Sequence, residues 1–171
     1  MASTSEREAG PVEAVRFDDG ALWALDQTVL PWLETELRLI SASDVAAAIK
    51  RLSIRGAPLI GVAAAYGMAL ELGRDPGALE RARKLLIGAR PTAANLAWAV
   101  ERVCAAVRGC APGEQAAVAL DEARSIHAEE VAASAALARH GADFLAGAGL
   151  RLLTHCNTGA LAAPGRGTAL P

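Results

Sequence analysis

Apolar residues run without a charge from Gly56 to Leu70, fifteen positions in all, and Arg55 stands directly before them. Pro58 is suited to the first turn of a helix, where its missing N–H leaves no bond unmade. The run therefore predicts a helix over Pro58–Leu72 with Gly73 as its stop. Gly61, Ala63, Ala64, Ala65 and Gly67 leave this helix almost no polar face, so it is expected to be buried with other backbones close against it. Upstream, apolar positions recur in two short runs, Val12–Phe17 and Ala21–Asp26, around Asp18-Asp19-Gly20, which reads as a hairpin. The segment from Gln27 to Ile40, broken by Pro31, reads as a connection with a further short strand. Ser41 or Ser43 caps a helix over Asp44–Arg51 with Val45, Ala48 and Ile49 inward.

Downstream of the long apolar run, Asp75-Pro76 starts a helix ending near Gly88, and Pro91 opens another that carries Leu96, Val100, Val103 and Val107 to Gly109. The longest helical stretch runs from Glu114 to Leu145, with Gly141 either ending or loosening it. At Ala148-Gly149 the character changes. Leu150–His155 fits a buried strand, followed by the small polar turn Cys156-Asn157-Thr158-Gly159. The expected fold is thus mostly α, with a small β-hairpin at its start, followed by the first strand of a truncated Rossmann-like α/β domain. The expected division is a tail over 1–11, a helical domain over 12–147 and the start of an α/β catalytic domain over 148–171.

Composition narrows the classes. Of the 171 residues 53% are hydrophobic but only 4% aromatic, so the core is built from Ala, Leu and Val, which suits packed helices. The net charge of −2 with scattered basic residues gives nucleic acid no electrostatic footprint. The charge-free run is shorter than the roughly 20 residues a spanning helix needs, and no membrane partner is expected. A polar N-terminus and three cysteines point to a cytoplasmic chain with free thiols.

Arg55, Gly56 and Ala57 front the N-terminus of the apolar helix. Free N–H groups, a helix dipole and a guanidinium fork together suit an anion, phosphate above all. The plainer alternative is a buried helix whose arginine reaches solvent or a carboxylate. Arg90-Pro91 repeats the arrangement, an arginine before a proline-opened helix. Cys104 and Cys110 read as core residues, Asn95 and Trp98 as core and helix-packing residues, and His127 and His140 as solvent-facing. His155 and Cys156 are adjacent on the expected strand, so they face opposite ways and do not pair directly. No cluster has the spacing of metal ligands.

Three segments carry a likeness: Arg55-Gly56-Ala57-Pro58-x-Ile60-Gly61 with Ala64-Ala65-Tyr66-Gly67; Arg90-Pro91-Thr92-Ala93-x-Asn95-Leu96-x-Trp98; and Leu153-Thr154-His155-Cys156-Asn157-Thr158-Gly159-Ala160-Leu161 with Gly167-Thr168-Ala169-Leu170. In this order and spacing, over about residues 12–170, the chain resembles the methylthioribose-1-phosphate isomerases, aldose–ketose isomerases of methionine salvage. That group is related to archaeal ribose-1,5-bisphosphate isomerase and to the regulatory subunits of eukaryotic translation initiation factor 2B. The resemblance implies that Arg55, Gly56, Ala57 and Arg90 bind the sugar phosphate and that Cys156 assists proton movement. It implies no metal and no cofactor, and a homodimer at full length. The family's partner aspartate falls beyond residue 171, so this chain is expected to be an N-terminal portion, inactive alone. The alternatives are the related bisphosphate isomerase and a non-catalytic regulatory or scaffold subunit. Ser134, Ala135 and Ala162–Arg166 depart from the family's usual residues.

Overall fold

A computed structural model describes residues 12–147, 151, 153–155 and 158–167. The first elements among the described residues form a three-stranded antiparallel sheet in the order β1–β2–β3, made by β1 (Val15–Asp18), β2 (Ala21–Leu25) and β3 (Glu36–Leu39). Asp19 and Gly20 both have positive φ, 47° and 65°, which is the two-residue turn whose twist matches the strands it joins. Val15, Leu22, Ala24 and Leu39 are buried against the helices. On the other face Arg16 and Arg38 flank Trp23 in register, and Arg16 lies over the Trp23 ring and pairs with Glu36.

Helix α1 (Ala42–Lys50) begins at Ser41, whose hydroxyl accepts from the Asp44 amide at 3.2 Å, while the Asp44 carboxylate reaches back to the Ile40 amide. Helix α2 (Ala57–Arg74) follows and is the centre of the molecule, with thirteen of its eighteen residues buried. It packs against β1, β2 and α1 and, further along the chain, against α3 (Leu79–Ile87), α4 (Ala94–Ala106) and α5 (Gln115–Leu145). Gly61 lets the start of α4 approach so closely that a Cβ there would lie 3.0 Å from the Asn95 carbonyl oxygen.

Two expected boundaries move. Gly73 does not stop α2, which continues through it to Arg74. The glycine is exposed, and a side chain there would meet only Ala116 of α5, at 3.9 Å. The stop comes from Pro76, which drives the preceding Asp75 into extended backbone at φ −148°, ψ 101°. Pro76 opens a short 3₁₀ turn, Pro76–Ala78, ahead of α3. Pro91 does not open α4. Residues Arg90–Ala93 form a turn closed by the Ala93 amide on the Arg90 carbonyl at 3.0 Å, and the helix starts at Ala94. Helix α5 passes through Gly141 without ending.

The expected strand over Leu150–His155 is not seen among the described residues. Arg151, Leu153, Thr154 and His155 are exposed and carry no strand pairing, with Leu153 99% accessible. A buried parallel strand needs neighbours on both sides, and no described segment supplies one. The chain instead returns to the helical core as a series of turns over Thr158–Gly167, burying Ala162 and Ala163. Among the described residues no helix is long and apolar enough to cross a membrane.

Candidate functional site

Gly56 is the N-cap of α2 and has φ 102°, a conformation costly for any residue with a side chain. It also lies against the returning turn segment. A Cβ on Gly56 would fall 2.3 Å from the carbonyl oxygen of Ala162. That carbonyl accepts from the Leu59 amide at 3.2 Å, so one of the unpaired donors at the helix start is taken by the chain itself. Pro58 has no N–H. Among the described residues the amides of Gly56 and Ala57 make no hydrogen bond, and these remain available at the positive end of α2.

Arg55 is exposed beside them. Its Nε donates to the Gln27 Oε1 at 3.3 Å, and its two terminal nitrogens make no hydrogen bond or ion pair among the described residues. Gln27 is itself buried, 6% accessible, and its Nε2 donates to the Leu161 carbonyl at 2.7 Å. Consecutive carbonyls of the turn segment, Leu161 and Ala162, are thereby held by Gln27 and by the first turn of α2. Gln27 is placed by Asp26, which accepts from both the amide and hydroxyl of Thr28, and by its own amide on the Ser53 carbonyl at 3.1 Å. Burial pushes the Asp26 carboxyl up. The hydrogen bonds of Thr28 and Ser53 and the charge of Arg51 outweigh that and hold it below the usual carboxylate range.

Arg90 is exposed in the turn leading into α4, and its side chain is free among the described residues. Because Asn95 lies against Gly61, four residues into α2, the starts of α2 and α4 come together, about 6 Å along α2 from its first residue. Asn95 and Ala94 line a groove with Trp98 and Glu130. Trp98 is not core; it is 47% accessible and stacks under the Arg102 guanidinium, which pairs with Glu122 and Glu129 of α5. Cys156 lies outside the described residues, as does Asn157. The described positions nearest to it in sequence are His155 and Thr158.

His127 is a second departure from expectation. It does not face solvent: it is half-buried, its Nδ1 lies 3.2 Å from the Tyr66 hydroxyl, and the Tyr66 ring stacks on Phe17. Burial pushes the imidazole down and the phenol up, so both stay neutral near pH 7. His127 also lines a cavity of about 330 Å³ with Val15, Leu59, Val131 and Pro164, and none of Arg55, Gly56, Ala57 or Arg90 reaches it. The linking role of Gln27 and the burial of His127 were both missed from the sequence. No local signal in the sequence marks the first, since its partner Leu161 is 134 residues away.

Comparison with known proteins supplies the context for this arrangement. The chain is 46% identical over 158 residues to the methylthioribose-1-phosphate isomerase of Methylorubrum populi, covering 88% of this chain and 43% of that protein. It is 49% identical to the enzyme of the same name from Anaeromyxobacter sp. (strain K), covering 94% of this chain and 47% of the relative. Among solved structures, 5-methylthioribose 1-phosphate isomerase from Pyrococcus horikoshii superposes with a TM-score of 0.78 at 31% identity, covering 91% of this chain and 46% of that one. The translation initiation factor eIF-2B subunit delta from A. fulgidus does so with a TM-score of 0.80 at 35% identity, covering 93% and 49%. The chain thus spans about half the length of the relatives it matches. Since residues 53–167, which include Arg55, Gly56, Ala57, Arg90 and Cys156, match the Initiation factor 2 subunit family, the chain belongs to that family.

Proposed function

We propose that this chain forms the phosphate-holding half of an aldose–ketose isomerase that converts 5-methylthioribose 1-phosphate to 5-methylthioribulose 1-phosphate. The observation that carries the reading is the start of α2. Two backbone amides at Gly56 and Ala57, unengaged among the described residues, follow directly on Arg55, whose Nε is engaged and whose two terminal nitrogens make no hydrogen bond among those residues. A phosphate dianion suits such a set, since the planar fork takes two oxygens and the amides with the helix dipole take the third. Arg90, in the turn before α4, is the second cation of the proposed site. The names of the isomerases at 46% and 49% identity support the choice of substrate.

The reaction moves a hydrogen from C2 to C1 of the sugar while the ring opens. Phosphate on C1 blocks the free-aldehyde route, so binding energy from the phosphate is best spent on orienting C1 and C2 against the proton-moving groups. Cys156 is the proposed proton-moving thiol, five residues before the Leu161 carbonyl that Gln27 holds. The partner acid is proposed to come from sequence beyond this chain. In this division residues 12–147 hold the phosphate, and a catalytic α/β domain begins near residue 148. We place the reaction in the cytoplasm, with the intact enzyme a homodimer. The likeness to the eIF-2B delta subunit supports a second reading, a regulatory subunit that does not turn the sugar phosphate over.

A chimera tests the proposal. This chain replaces the matching segment of the Anaeromyxobacter isomerase, and turnover of 5-methylthioribose 1-phosphate is measured. Turnover within about tenfold of the parent is expected. A folded chimera that binds the sugar phosphate without converting it supports the regulatory reading, and one that does neither overturns both.

A further inference from the structure

The Gln27 amide has only one orientation consistent with its neighbours. Leu161 presents a carbonyl, which can only accept, and Arg55 presents an N–H, which can only donate. The Nε2 must therefore face the turn segment and the Oε1 must face the guanidinium. An exposed arginine ordinarily samples many rotamers and surrenders that freedom when it binds an anion. Engaging Nε sets the plane of the fork in advance and leaves the opposite edge, Nη1 and Nη2, to the ligand. The same amide holds the segment that follows Cys156. Burial makes this link expensive to leave unmade, because a 6% accessible amide without partners has no water to turn to.

From this geometry we infer that Gln27 is a positioning residue for the sugar-phosphate reaction: it orients the Arg55 fork and fixes the Thr158–Gly167 segment to it. The inference rests on the isomerase reading above. It goes further in assigning to a residue outside the three shared segments the register between the phosphate grip and the chain that carries Cys156.

Two measurements test it. In this 171-residue chain, the Arg55 Nε–H resonance is compared with that of Arg90, whose side chain is free among the described residues. Slower solvent exchange at Arg55 is expected, and equal exchange overturns the link. In the chimera, Gln27→Met keeps the length of the side chain and removes both hydrogen bonds. It is expected to raise KM for 5-methylthioribose 1-phosphate roughly tenfold. In an Arg55→Ala background the same substitution is expected to leave KM within about twofold, because Gln27 acts through Arg55. A Gln27→Met penalty on KM of equal size in both backgrounds, or none in either, overturns the proposal while the isomerase reading stands. A chimera without turnover removes the reading and this assignment with it. Should Gln27→Met fail to fold, Gln27→Asn, polar but too short to span both partners, is expected to give the same split.

Discussion

Gly56 and Ala162 are in backbone contact: a single methyl group on Gly56 would lie 2.3 Å from the Ala162 carbonyl oxygen and 2.4 Å from its Cα. That contact seats the turn segment on the first turn of α2 and lets the Ala162 carbonyl cap the Leu59 amide. Gly20 is a natural control, since its φ of 65° is also positive but nothing lies within 4 Å of a Cβ there. Gly20→Ala is expected to cost about 1 kcal/mol, the left-handed backbone penalty alone. Gly56→Ala should cost about 3 kcal/mol, because the strain is joined by a clash with backbone that cannot rotate away. Urea unfolding of the two variants checks this, and equal midpoints would remove the contact from the account. The amide of Leu59 should also lose its exchange protection in Gly56→Ala only.

The Tyr66–His127 pair makes stability depend on pH in a stated direction. Burial holds the His127 imidazole below its ordinary value, so the unfolded chain binds a proton that the folded chain refuses. Stability is therefore complete above about pH 6.5, the ordinary histidine value, and is lost as pH falls from there toward the lowered folded value. His127→Gln, which keeps a partner for the Tyr66 hydroxyl without titrating, should flatten the stability profile over that window. Urea midpoints measured at half-unit steps of pH distinguish the two curves. A variant that tracks the parent would mean that His127 titrates as it would in water.

Much of the fold could be read from spacing alone. The hairpin around Asp19-Gly20, the Ser41 cap and the buried α2 all follow from local rules, because each is decided by residues within one turn of it. What escaped was decided at a distance. Pro91 sits in a turn ahead of α4, whose own start packs against Gly61 of α2. His127 has charged neighbours in sequence, yet its own face of α5 turns toward Tyr66. At the site, Arg55, Gly56 and Ala57 were legible as an anion-binding helix start. Gln27 was not, since a glutamine has no local signature and its role comes from Leu161, 134 residues away.

If Arg90 supplies the second cation, Arg90→Ala in the chimera should raise KM for the sugar phosphate roughly 10- to 100-fold, the range expected for losing a charge-assisted pair. Arg108, exposed after α4, is the control and should leave KM unchanged on substitution by Ala. Steady-state kinetics on both variants decides whether Arg90 is part of the site or an ordinary surface charge.

Cys156 is proposed to move a proton, so its substitution should act on the chemical step more than on binding. Cys156→Ser in the chimera should lower kcat by about 10²- to 10⁴-fold with KM within a fewfold of the parent. Loss confined to KM would make the thiol a binding group, and full activity would remove it from the reaction.

The grip of α2 on phosphate is tested most directly by comparing two ligands by calorimetry, 5-methylthioribose 1-phosphate and 5-methylthioribose, on the chimera and on its Arg55→Ala variant. The parent chimera is predicted to prefer the phosphorylated sugar by at least about 100-fold, and the variant to lose roughly 10-fold or more of that preference while binding the unphosphorylated sugar unchanged. An equal preference with and without Arg55 would contradict the account.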